Sequence, residues 1–500
     1  MLIFRCYIRD RLKLNFRDFS LKRLVLACGL SLCAAAGHSD NDYFNQPAAQ
    51  FSVPDIGAGV GLIDQQKEQM IGEKVYRQVQ KQMPVIQNPW LEDQLLSIFS
   101  QILSQTKLQQ PIGLMVINDP QINAFAVPGG LFALNAGLIN SARNTDEVAG
   151  VMAHEIAHVT QRHYSRSQET FKGQGLLALA GILVGALVAS QADGDAGAAV
   201  MMGSQAALLD QQLTYSRNQE READRIGMQY MYAAGYSPHS MADFFEVMHR
   251  STSRLSFMPD FWLTHPLTTE RMSEARLRAN QLPAVKRNLN DQDFEIIKWY
   301  TRVLSRQTTE QQLNLMVQRN DFPGQLALTA YQLQQGDFQA AQTALDQAKK
   351  HNKMHPLQVL FQTDIYLGQN QLDNALKSIS SAARIMPENR ALNYKYAETL
   401  IRAKQPDQAR TIVQRFLNSN TRDVSGWRLM QLAANAAPDS SIKAANVLRY
   451  RAEVEYWSGY EETAIKSLIH AQRISKGNQS LSATIGQRLK QMQQTRQFKI

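Results

Sequence analysis

Cysteine is close to absent: the 500 residues hold three, Cys6, Cys28 and Cys33, all near the start. Past Cys33 no disulfide framework and no thiolate metal site can form, so neither a disulfide-stapled scaffold nor a Cys-ligated zinc finger fits the bulk of the chain. Long apolar runs are scarce as well. The stretch GLLALAGILVGALVA at 175–189 is 15 residues of apolar and glycine character, short of the about 20 that a spanning helix needs. Neither GxGxxG after a strand nor GxxxxGK[ST] occurs, so no backbone cradle for a nucleotide phosphate is encoded. Basic residues do not gather into a patch interleaved with aromatics, which argues against nucleic acid as a partner. Of the net charge of +9, residues 1–36 hold +5, from seven Lys and Arg against two Asp.

That basic, cysteine-bearing start has a pattern of its own. LKRLVLACGLSLCAAA joins a basic n-region to an apolar h-region from Leu24, with Ala34 and Ala36 at the −3 and −1 positions of a cut after Ala36. Residues 1–36 therefore read as a secretory signal peptide, with an uncleaved amphipathic anchor as the competing reading. Lipidation is disfavoured, because Cys33 follows Leu32 and not a small residue. The processed chain would be free of cysteine and suited to an oxidising compartment. Residues 37–63 carry Gly, Pro, Asn and Asp without a period and read as a flexible leader.

Length alone suggests about three bodies of roughly 150 residues, but periodicity divides the rest into two, 64–280 and 290–490. In the first, LIDQQKEQMIGEKVYRQVQKQM and WLEDQLLSIFSQILSQT read as amphipathic helices. GLMVINDP, NAFAVP and GLFALNAGLI follow as short strands of a small sheet. NTDEVAGVMAHEIAHVTQRHY returns to helical spacing, with Thr145 as its expected N-cap. Residues 175–189, with the Gly/Ala/Met stretch after them, fit a helical hairpin on the core, or else a mobile flap or a membrane-facing segment. The second body repeats one helix: Ala341, Ala375 and Ala409 are 34 residues apart, and Ala464 follows 55 later. A period of 34 is that of the tetratricopeptide helix pair. The long last interval implies an insertion around 418–439, and one or two divergent pairs are expected before Tyr331, within 291–318. The expected fold class is thus an α+β body, mainly helical with a small sheet, followed by an all-α repeat solenoid.

The chemistry concentrates in HEIAH, residues 154–158. Four residues apart on a helix, His154 and His158 share a face and can present two imidazoles to one zinc ion, while Glu155 reaches a water there as general base. At 10 histidines in 500 residues, about one chain in a hundred would show the pattern by chance. His163, five residues beyond His158, does not share its face on a continuous helix. A third ligand must come from elsewhere. In NQEREADRIG, Glu220 and Asp224 are again four apart; Glu220 is assigned to the metal and Asp224 to orienting a histidine ring, while Glu222 points elsewhere.

HEIAH with a downstream EREAD resembles the gluzincin peptidases of the HtpX and CAAX-prenyl-protease type, and the secreted, repeat-bearing form resembles the branch of that family active in the bacterial envelope. The resemblance covers essentially the whole mature chain and implies that the α+β body is a zincin-like protease domain. It implies one Zn2+ per chain, with His154, His158 and Glu220 as ligands, Glu155 as base and Asp224 closing the second motif. It also gives meaning to THPLTTER, where His265 and Arg271 match a downstream HP...R element. His265 then has three possible roles: a donor beside the oxyanion, a fourth metal ligand that keeps the enzyme latent, or a packed turn residue. Asn123, Phe125 and Val127 of NAFAVP resemble the edge strand that aligns an extended substrate by backbone bonds, a core hairpin being the alternative.

The resemblance further implies a periplasmic zinc endopeptidase acting in outer-membrane β-barrel assembly and quality control. Its partners would be unfolded or partly assembled barrel proteins and the β-barrel assembly machinery, with peripheral membrane contact. The alternative is a chaperone or interaction scaffold whose metal site is latched or weakly active, the repeats doing the main work.

Overall fold

The computed structural model describes residues 65–108, 111–170, 206–252, 265–285, 292–319, 321–351 and 354–498. The expectations for residues 1–63 and 175–189 lie outside them. Helix α1 (Gln65–Gln82) is followed by α2 (Pro89–Leu103), whose start is dictated locally. The Asn88 side chain accepts the Leu91 N–H, and Pro89 sits in the first turn where no N–H is needed. Helix α2 buries Trp90, Leu91, Leu95, Ile98, Phe99 and Ile102 at helical spacing.

Strands β1 (Gly113–Ile117), β2 (Ala124–Val127) and β3 (Leu131–Asn135) form an open sheet in the order β1-β3-β2, with β3 parallel to β1 and antiparallel to β2. The β2–β3 turn passes through Gly129 at φ +84°, where a Cβ would run into the Glu68 carbonyl of α1; only glycine allows that approach. The run GLFALNAGLI does not stay extended as expected. Its strand stops at Asn135 and residues Ala136–Ser141 coil into α3, whose Gly137 N–H bonds the Asp119 carbonyl. A short apolar run reads alike as strand or buried helix, and here a tertiary backbone bond decides.

Helices α4 (Thr145–Thr160), α5 (His163–Thr170), α6 (Ala206–Ala233), α7 (Pro238–Thr252) and α8 (Thr269–Gln281) complete the first body. The N-cap of α4 is Asn144, not Thr145: the Asn144 side chain accepts the Glu147 N–H, and Thr145 is the first helical residue. Helix α4 is buried from Thr145 to Ala157 and packs against α2, α6, α7 and β2.

The second body is a solenoid of helices. A divergent pair, α9 (Gln292–Leu304) and α10 (Glu310–Arg319), precedes α11 (Asp321–Gln335) and α12 (Phe338–Lys349), α13 (Pro356–Gly368) and α14 (Leu372–Ile385), and α15 (Arg390–Arg402) and α16 (Pro406–Ser419). The insertion is one extra helix, α17 (Val424–Ala436), before α18 (Lys443–Trp457), α19 (Glu461–Ile474) and α20 (Gln479–Gln497). Ala341, Ala375, Ala409 and Ala464 are each the fourth residue of their helix and 0% exposed. Five positions before each stands a left-handed residue, Gly336, Asn370, Lys404 or Gly459, that ends the preceding helix. The repeat is thus carried by a turn and a close helix contact.

The two bodies share a core within one compact unit, Asp55–Ile500. Ile71, Val75 and Val79 of α1 pack with Trp457, Leu468 and Ile485 of the last repeats. Arg77, 2% exposed, bonds Glu461 at 2.7 Å and lies 4.5 Å from the Tyr456 ring centroid, so its guanidinium plane is covered by an aromatic face. Arg390 of α15 reaches Glu92 and Asp93 of α2 and also Asp423, at 2.7–3.0 Å. Among the described residues no helix is long and apolar enough to cross a membrane.

Candidate metal centre

Helix α4 presents His154 and His158 on one face, and α6 crosses it with Glu220 and Asp224 on one face of its own. Into the angle between them runs the segment before α8, which carries His265; Thr268 caps α8 through the Arg271 N–H. One ligand atom from each of His154, His158, Glu220 and His265 lies within 4.8 Å of every other. His154 Nε2 is 3.0 Å from His158 Nε2, 3.4 Å from His265 Nδ1 and 3.3 Å from Glu220 Oε2. Glu220 Oε1 is 3.2 Å from His158 Nε2 and 3.0 Å from His265 Nδ1.

These separations fit a zinc ion. Bonds of about 2.0–2.1 Å in a tetrahedron place donors about 3.3 Å apart, close to the 3.0–3.4 Å found here. Three imidazoles and one carboxylate are also a donor set that zinc favours over magnesium or calcium. Electrostatics agree. Burial drives His158 down to about 3, which leaves its ring neutral, the form that binds metal. Burial works against the Glu220 carboxylate, but its neighbours His265, Arg271, His158 and His154 hold it well below the usual range, so it is ionised. His154, whose burial is outweighed by hydrogen bonds to Asp224 and Glu220, is raised to about 10.

The support is equally built. His154 Nδ1 is 3.0 Å from Asp224 Oδ1. Arg271, 3% exposed, forks onto Asp224 through Nε at 2.7 Å and Nη2 at 2.8 Å. Its Nη1 reaches Glu220 Oε2 and the Pro266 carbonyl, each at 2.8 Å. The Arg271 charge outdoes the burial penalty on Asp224 and brings it to about 2. Glu155 is buried beside the cluster, with Oε1 free of hydrogen bonds and 3.5 Å from His265 Nε2.

Every residue singled out around HEIAH, EREAD and THPLTTER comes together here. The residues of NAFAVP sit otherwise. Asn123, Phe125 and Val127 are buried, and the Asn135 N–H to Asn123 carbonyl bond sets the register so that their backbone groups face β3. On edge strand β2 it is Ala124 and Ala126 whose backbone faces outward.

Spacing on a straight helix turns His163 and Glu222 away from the cluster, and the structure joins them to it. Helix α4 ends at Thr160, and Arg162 turns the chain at φ 51°, so His163 opens a new helix and meets His158 at 2.9 Å, Nδ1 to Nδ1. Glu222 turns to His163 Nε2 at 3.1 Å. The only sequence signal was a third histidine soon after HEIAH, and face arithmetic on an unbroken helix discarded it.

Comparison with known proteins agrees with this geometry. The model of "Peptidase family M48" matches residues 86–279, and a tetratricopeptide repeat model matches 366–433. The chain is 30% identical over 407 residues to the "Beta-barrel assembly-enhancing protease" of Yersinia pestis, covering 77% of this chain and 81% of that one. It is 29% identical over 453 residues to the protein of the same name from Escherichia coli (strain K12), covering 89% and 91%. The "Mitochondrial metalloendopeptidase OMA1" of Schizosaccharomyces pombe is 27% identical over 197 residues, covering 37% and 54%.

Proposed function

The chain belongs to peptidase family M48, alongside the beta-barrel assembly-enhancing proteases, and from that premise we propose how this zinc metalloendopeptidase works and on what. The reading is an enzyme of the bacterial periplasm, reached after cleavage of a signal peptide, that degrades misfolded or stalled precursors of outer-membrane β-barrel proteins. The long relatives are named for barrel assembly, and the leader pattern of residues 1–36 supports the compartment. Residues 64–280 form the peptidase body and 290–490 the repeat body, which presents substrates or meets the assembly machinery at the outer membrane.

One observation carries the reading: the convergence of His154, His158 and Glu220 with Glu155 beside them. These residues would hold one zinc per chain, which when bound acts as a Lewis acid toward the scissile carbonyl and acidifies an attacking water. Glu155 takes the proton from that water and passes it to the leaving amine. Asp224 keeps the His154 ring in orientation, and Arg271 keeps both Asp224 and Glu220 in place. The outward backbone of β2 aligns an extended peptide. His265 fills the fourth donor position that a catalytic site leaves open, so it holds the resting site closed.

That fourth donor also favours a second reading, in which the chain spends its time as a chaperone or scaffold with a latched metal site. Digestion of a purified barrel precursor by the zinc-loaded chain, with Glu155→Gln as control, separates the two. Cleavage by the wild type and not by the variant supports the peptidase. Stoichiometric zinc without cleavage, even after His265→Ala, leaves the scaffold.

A further inference from the structure

Resting on the zinc reading above, we propose that His163 and Glu222 are positioning residues that fix His158 as its metal-binding tautomer. His154 is backed directly by the Asp224 carboxylate. His158 has another histidine instead, His163 Nδ1 at 2.9 Å from its own Nδ1. Beyond it, His163 Nε2 meets Glu222 Oε2 at 3.1 Å, and the same oxygen accepts from Arg166 Nη1 at 2.9 Å.

Hydrogen-bond direction makes this chain a selector. Glu222 Oε2 already accepts from Arg166 Nη1, so it meets His163 Nε2 as an acceptor, and a singly protonated His163 carries its hydrogen there. His163 Nδ1 is then a lone pair, and the hydrogen between the two rings must belong to His158 Nδ1. That leaves His158 Nε2 a lone pair, aimed at His154 and Glu220. The opposite arrangement would set a lone pair against a carboxylate and point an N–H into the donor cluster. A carboxylate two side chains away thus sets which nitrogen of His158 is available, as second partners of metal ligands do elsewhere.

The device is held rigidly. His163 is 3% exposed, and Gln219 Nε2 bonds its carbonyl at 2.9 Å. Arg162, left-handed at φ 51°, is tied to Glu68 by Nη2 at 2.8 Å. Ser165 Oγ reaches the same carboxylate at 2.8 Å. A non-glycine residue in this conformation is uncommon, and here it is what lets a histidine five positions on come back to His158.

The experiment is zinc competition against a chromophoric chelator on the full chain, together with visible absorption of the Co2+-substituted protein. His163→Leu removes the acceptor and is expected to weaken zinc by 10- to 100-fold, the usual cost of losing such a partner, and to shift the cobalt bands. His163→Asn puts an amide oxygen near the Nδ1 position and is expected to recover most of the affinity. Glu222→Gln, which leaves the histidine in place, is expected to lose affinity by a smaller factor. Wild-type affinity in His163→Leu, or equal losses in the Leu and Asn variants, would overturn the proposal, since the second outcome is packing alone. Should the Leu variant not fold, unchanged zinc affinity in Glu222→Gln overturns it by itself. Failure of the zinc reading looks different: the unsubstituted chain would then bind no zinc, and His154→Ala would change nothing.

Discussion

Replacing Arg271 by Met removes the cation that two buried carboxylates share. Arg271 is 3% exposed and Asp224 and Glu220 are 2% and 1% exposed, so water cannot take its place. Four polar contacts of 2.7–2.8 Å disappear at once, three to carboxylates and one to the Pro266 carbonyl. Removing one partner of a buried pair typically costs about 3–5 kcal/mol, because the other charge stays behind unpaired. In a body of this size each kcal/mol is worth about 2–4 °C, so the melting temperature should fall by about 6–20 °C. The assay is differential scanning calorimetry of the zinc-saturated chain. Arg271→Lys, a point charge that cannot fork onto Asp224, should fall between wild type and Met. Arg271→Met with Asp224→Asn should be less damaging than the two changes summed, with a coupling of about 1–3 kcal/mol. A drop of less than about 3 °C for Arg271→Met, or strict additivity in the double variant, would refute the reasoning.

Two further outcomes follow from the geometry. His265→Ala should keep zinc bound through His154, His158 and Glu220 while raising proteolysis, because the fourth donor position opens; zinc loss as large as that of His154→Ala, read by metal analysis, would rule this out. His355 caps α13 by accepting the Leu357 N–H on Nδ1 at 3.2 Å, a bond only the neutral ring can make, and burial lowers it to about 4. The unfolded chain therefore binds a proton near pH 6.5 while the folded one does not, so stability is full at neutral pH and falls from about 6.5 down to about 4. The shift corresponds to about 3 kcal/mol. Urea unfolding across that window should show a slope that His355→Asn, an untitratable cap, reduces; an unchanged slope would contradict it.

The peptidase half was legible because its chemistry is local. HEIAH and EREAD each place two side chains on one face of one helix, and helix geometry alone brings each pair together. The 34-residue interval was legible for a similar reason: each repeat needs a left-handed turn residue and, five positions later, an alanine small enough for helices to touch. Errors arose where a local rule met a tertiary one. Residues 136–141 read as strand because an apolar run has no period to betray it, until Gly137 bonds Asp119. His163 was set aside because five residues on a straight helix point apart, and the chain is not straight at Arg162.

The sequence by itself determined the donor groups of HEIAH and EREAD and the repeat that follows, since each is written in spacings of four to 34 residues that secondary structure converts directly into neighbours. Only the tertiary structure decided that His265, 45 residues beyond Glu220, closes the cluster, that Arg271 binds its two carboxylates together, and that Glu222 reaches His158 through His163. It also decided that Arg77 and Arg390 join the peptidase helices to repeats about 300 residues or more away. Such contacts depend on how helices cross and where a turn reverses, and no spacing along the chain encodes a crossing.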